Sequence, residues 1–77
     1  MVHVTRANVE QFLDDGLLFA QMKNGRWWQV RRNGKTRTWK RDPDKFVIPI
    51  KAGMYAYGRI DEFCVGTFRH KDDVPAT

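Results

Sequence analysis

The chain has one cysteine, Cys64, and two histidines, His3 and His70, placed near opposite ends. A single thiol closes no intrachain disulfide, so the fold is not a cystine scaffold. The Cys/His ligand set of a structural zinc site is missing as well. No apolar run approaches the roughly 18 residues that cross a bilayer, and no apolar block precedes a cleavage site near Met1. The expectation is a cytoplasmic protein that makes no membrane contact. Neither glycine-rich phosphate loop, G-x-x-x-x-G-K-[ST] or G-x-G-x-x-G, occurs. The twelve-residue calcium loop is also missing. At 77 residues there is no room for a dinucleotide-binding unit with its own substrate domain, or for a helical solenoid.

Catalytic chemistry is thin for the same reasons. Cys64 lies between Phe63 and Val65 and reads as a small buried hydrophobe rather than a nucleophile. Asp61 and Glu62 are adjacent turn acids, and Asp42 and Asp44 flank Pro43, where they touch a cation weakly at most. The sequence therefore predicts no catalytic residue, no metal site and no cofactor, and the protein is not expected to be an enzyme.

What the chain does hold is positive charge in one place. Its formal net charge is +5. Residues 23–51 carry Lys23, Arg26, Arg31, Arg32, Lys35, Arg37, Lys40, Arg41, Lys45 and Lys51 against only Asp42 and Asp44, a net +8, and the remainder nets −3. A segment so polarised either blunts exposed strand edges or faces a polyanion.

The pattern along the chain predicts a short helix over 4–15. Thr5 would cap it by accepting a bond from the Asn8 amide. Val9, Phe12 and Leu13 form one apolar stripe, and Gly16 takes the left-handed position after the last turn. Asp14 and Asp15 are misplaced at the negative end of the helix dipole. Strands follow over 17–22, 27–32 and 36–41, joined by Asn24-Gly25 and Asn33-Gly34 as two-residue type I′ turns. That register sets Met22 opposite Trp27, Phe19 opposite Val30, and Trp28 opposite Trp39. It makes Trp28 and Trp39 core and leaves Trp27 on the other face. A slip of one residue would exchange the two faces.

Asp42-Pro43-Asp44 predicts a turn, and 46–50 a fourth strand in which Pro49 demands an edge or a bulge. Residues 54–60 form a fifth strand with Tyr55 and Tyr57 on one face and a bend at Gly58. Residues 63–68 form a sixth. The fold class is α+β: a short N-terminal helix, then a strongly bent antiparallel sheet of five or six strands. By strand count and size the sheet would curl into a small SH3-like barrel, with an open sheet under the helix as the alternative. One domain would cover 1–70, and 71–77 would form a flexible tail.

Function follows from the cationic hairpin over 27–41. Lys and Arg neutralise phosphates, and an exposed Trp stacks on a base of any sequence. The expected interface with DNA or RNA comprises Arg26, Trp27, Arg31, Arg32, Lys35, Arg37, Lys40 and Arg41, with Trp27 as the stacking ring. The competing reading is a protein-interaction module that docks an acidic partner or homodimerises, with Met22, Trp27, Tyr55 and Tyr57 as anchors.

Overall fold

Residues 9–14 coil into helix α1 (Val9–Asp14) because Val9, Phe12 and Leu13 share one face. In the computed structural model, which describes residues 2–33 and 42–75, Val9 and Leu13 are buried and Phe12 packs beside them. The N-terminal turn is built in the reverse sense from the expected cap. The Asn8 side-chain Oδ1 accepts from the Thr5 N–H at 2.7 Å, and its Nδ2 donates to the His3 carbonyl at 2.9 Å. The end of the helix matches expectation. Gly16 has φ +73°, and the Leu17 N–H reaches back to the Phe12 carbonyl at 2.8 Å, the six-residue closure of a left-handed C-terminal cap.

The misplaced Asp14 has a partner from a distant strand. Arg32 Nε donates to it at 2.7 Å, and the same guanidinium lies 3.7 Å from Glu10. Asp15 accepts from Gln11 at 3.1 Å. The Arg32 hydrogen bond is the main reason the Asp14 carboxyl sits below the ordinary carboxylate range. A depressed folded-state pKa adds stability above the unfolded value and loses it as pH falls through the folded one. Asp14→Asn should therefore lower the urea midpoint at neutral pH. The gap from the parent should hold above about pH 5 and close as pH drops below about 3.9. A gap that persists unchanged at pH 2 would show the pair is not ionic.

Strands β1 (Leu18–Gln21) and β2 (Trp27–Gln29) pair antiparallel, with Phe19 opposite Gln29, Ala20 opposite Trp28 and Gln21 opposite Trp27. This is one residue away from the predicted register. The cause is the turn. Gly25 has φ +89°, but among the described residues none other than glycine has positive φ, so Asn24 is not in a type I′ turn. The Gly25 N–H donates to the Met22 carbonyl, and the Met22 N–H to the Arg26 carbonyl. Lys23, Asn24 and Gly25 thus form a three-residue loop ending in a left-handed glycine bulge. The slip joins Leu18, Ala20 and Met22 with Val30 on the buried side.

The predicted strand 27–32 is divided at Val30. Its N–H bonds the Leu18 carbonyl at 2.8 Å and its side chain is fully buried. Beyond it, β3 (Arg31–Asn33) leaves β1 and pairs with β4 (Asp42–Lys51). β4 also pairs with β5 (Met54–Arg59). A short β6 (Arg69–His70) pairs with β1. The described strands make two three-stranded antiparallel sheets, ordered β2-β1-β6 and β3-β4-β5. They are not the single bent sheet expected, and they do not close into an SH3-like barrel.

Other expectations are corrected locally. Asp42-Pro43-Asp44 does not end the sheet, because one step along β3, from Arg32 to Asn33, spans Phe46 to Asp42 on β4. Pro49 sits where the register shifts before Lys51, the bulge its missing N–H requires. The strand predicted over 63–68 is replaced by a 3-10 turn, Val65–Thr67, in which the Thr67 hydroxyl donates to the Cys64 carbonyl at 2.8 Å. Cys64 is consequently exposed, not buried. His70 is buried, with its ring edge-on to Phe12 at 4.8 Å. Lys71–Asp73 forms a further 3-10 turn, and Asp73 accepts from the Val2 N–H at 2.8 Å. The Asn33-Gly34 turn, the third strand over 36–41 and the Trp28–Trp39 pair involve residues outside the described ones.

The core lies between the helix and the inward faces of both sheets. Val9, Leu13, Leu18, Ala20, Val30, Phe46 and Phe68 are buried together, and Ile48, Ile60, Phe63 and Val65 close around them.

Candidate nucleic-acid interface

Alternation along β3 decides the fate of two predicted contacts. Arg32 points inward, pairs across from Phe46, and is held by Asp14 and Glu10. Arg31 points outward and is exposed, with no ion pair among the described residues. Arg26, in the loop before β2, is exposed and likewise bears no such pair. Lys35, Arg37, Lys40 and Arg41 lie outside the described residues.

The register sets Trp28 opposite buried Ala20 and Trp27 opposite Gln21, on the outer strand of the sheet. Trp28, expected in the core, is 54% exposed. Trp27, expected to be the open stacking ring, is half-buried and carries the Arg69 guanidinium 5.9 Å from its ring centre. That distance is within cation–π reach. Arg69 is fixed there by hydrogen bonds to the Gly66 and Phe68 carbonyls at 2.8 and 3.0 Å. Arg26, Trp27, Trp28, Val74 and Pro75 line an open groove of about 500 Å³.

The outward face of β3-β4-β5 was not predicted as a site. Cross-strand pairing sets Arg31, Val47 and Tyr57 in one row. On the same face, Lys45 and Arg59 form the row to one side, and Pro49 and Tyr55 the row to the other. Tyr57 is 55% exposed and Tyr55 44%. The opposite face turns Phe46 and Gly58 inward, so Tyr55 and Tyr57 look away from the core, although Pro49 on their face is itself buried. Arg59 meets Asp44 at 3.8 Å, an ion pair between well-exposed side chains of the kind that holds weakly. Its sequence signal was the i, i+2 spacing of Tyr55 and Tyr57. The cations opposite them became visible only with the register.

Among the described residues no group of three or more His, Cys, Asp or Glu side chains is placed to hold a metal ion. No helix there is long and apolar enough to cross a membrane. No family model matches the chain, and neither a curated protein nor a solved structure does.

Proposed function

We propose that the protein binds nucleic acid through phosphate contacts made by the basic segment around β3 and β4. One observation carries this reading. The antiparallel register places Arg31, Lys45 and Arg59 on one side of a sheet, Arg31 and Arg59 exposed and Lys45 half-buried, where a phosphate chain can meet them. Arg26 and the exposed Trp28 add a second cationic and aromatic position beside β2. The contacts are to phosphate, so affinity is governed by charge rather than by sequence.

Binding of a mixed-sequence oligonucleotide, followed by fluorescence anisotropy between about 50 and 200 mM salt, tests the proposal. The expected result is a steep loss of affinity with salt. Arg31→Ala with Lys45→Ala should flatten the slope of log K against log salt by about 1.4 to 1.8. Arg32→Gln should leave that slope unchanged, because its guanidinium is engaged by Asp14. Absence of binding at the lowest salt would overturn the proposal.

A second reading rests on β5. It is the outer strand of its sheet and carries Met54, Tyr55 and Tyr57 exposed. Such an edge can also pair with an acidic partner protein or a second copy of the chain. A nuclease-treated pull-down that recovers a protein, from a chain with no affinity for the oligonucleotide, would favour that reading.

A further inference from the structure

We infer that the outward face of β3-β4-β5 is a stacking platform for single-stranded nucleic acid, with Tyr55 and Tyr57 as the base-contacting rings. The inference rests on the nucleic-acid reading and names the ligand class and contact mode that reading leaves open.

Tyr55 and Tyr57 are two residues apart on one strand and on one face, so their side chains stand about 7 Å apart. Both rings are exposed, and neither hydroxyl has a hydrogen-bond partner among the described residues. Neither ring packs against another aromatic there, so both π-faces stay available. The Arg31 row runs through Tyr57 itself, and Lys45 with Arg59 forms the next row. Cations therefore lie across and to one end of the aromatic pair. A backbone that followed the cations would present successive unstacked bases to the two rings.

A duplex offers no such faces, since its bases are already stacked on each other. Aromatic rings on an open sheet are a sequence-tolerant platform for a single strand, and cations beside them track its phosphates.

The test compares a labelled poly-dT or poly-U strand of about 16 nucleotides with a mixed-sequence duplex of equal length. Single-strand binding should exceed duplex binding. Tyr55→Ala and Tyr57→Ala should each weaken it roughly 5- to 100-fold without changing the salt slope, since no charge is removed. Tyr55→Phe and Tyr57→Phe should restore it, because the ring stacks and the hydroxyl does not. Far-ultraviolet circular dichroism and a thermal melt check that each variant folds, and the Phe pair supplies a folded control. Arg31→Ala should lower the slope by about 0.7 on the single strand.

If the tyrosine variants bind the single strand as tightly as the parent, or if the duplex binds equally well, the platform is wrong. The broader proposal then still stands if Arg31→Ala with Lys45→Ala weakens binding. If neither nucleic acid binds at about 50 mM salt, the nucleic-acid reading itself falls.

Discussion

Phe46→Ala should remove most of the stability of this protein. Phe46 is fully buried on the inward face of β4, paired with Arg32 on one side and Gly58 on the other. It lies where the helix, both sheets and the segment around Phe68 converge. Truncating a buried phenylalanine costs about 3–5 kcal/mol through lost transfer energy and the cavity left behind. A chain of this length has about 4–12 kcal/mol in total. The variant should show a much lower urea midpoint, or no cooperative transition at all. Phe46→Leu, which keeps most of the volume, should retain a clear transition. A Phe46→Ala unfolding free energy within about 1 kcal/mol of the parent would mean that the two sheets do not share this core.

Gly58→Ala should also destabilise, although alanine is the better strand residue by about 0.5–1 kcal/mol. A Cβ at Gly58 would stand 2.6 Å from Glu62 Oε2 and 2.9 Å from Phe63 Cζ. The carboxylate is the end of a flexible side chain, but it accepts from the Arg59 N–H and is therefore tethered. The Phe63 ring packs toward the core and against Phe68, with centroids 6.5 Å apart. Overpacking costs about 1–3 kcal/mol, which exceeds the gain in propensity. Gly66→Ala is the control. Nothing lies within 4 Å of its added Cβ and its φ is not positive, so the change should be neutral or slightly stabilising. Equal melting temperatures for the two variants would show that no close packing constrains Gly58.

Glycine at position 58 thus serves a purpose other than the bend read from the sequence. A strand glycine marks either a kink or a close approach, and only the neighbours tell which. Gly25 is a parallel case. Asn-Gly signals a hairpin, and a hairpin is present. The same dipeptide suits a two-residue loop or the end of a three-residue one. That single residue of difference put Trp27 on the Phe19 face, beneath Arg69, while Trp28 lies opposite Ala20 and is exposed at the outer strand of its sheet. Cys64 and the segment over 63–68 depart from the expected strand for a related reason. Alternation of Phe63, Val65 and Thr67 looks extended, yet the Thr67 hydroxyl bonds locally to the Cys64 carbonyl and a 3-10 turn results.

The candidate site was legible only in part. The concentration of cations in residues 23–51 is a property of composition alone, and so is the tyrosine spacing in β5. Strand alternation sets Arg31 and Arg32 on opposite faces, but nothing in the order of residues announced that Arg32 would meet Asp14. Equally, nothing announced that Lys45 would lie across from Arg59.

Local chemistry determined the elements with strong short-range causes. These are the helix with its apolar stripe and Gly16 cap, the loop at Asn24-Gly25, the bulge at Pro49 and the excess of positive charge in the middle of the chain. The tertiary structure alone decided that the strand after Trp28 changes sheets at Val30, that the sheets remain two, and that two tyrosines and three cations share an outward face. The physical reason is that strand pairing is a contract between distant segments. Its register depends on which side chains the core can bury, and a displacement of one residue turns every side chain on a strand to the other side.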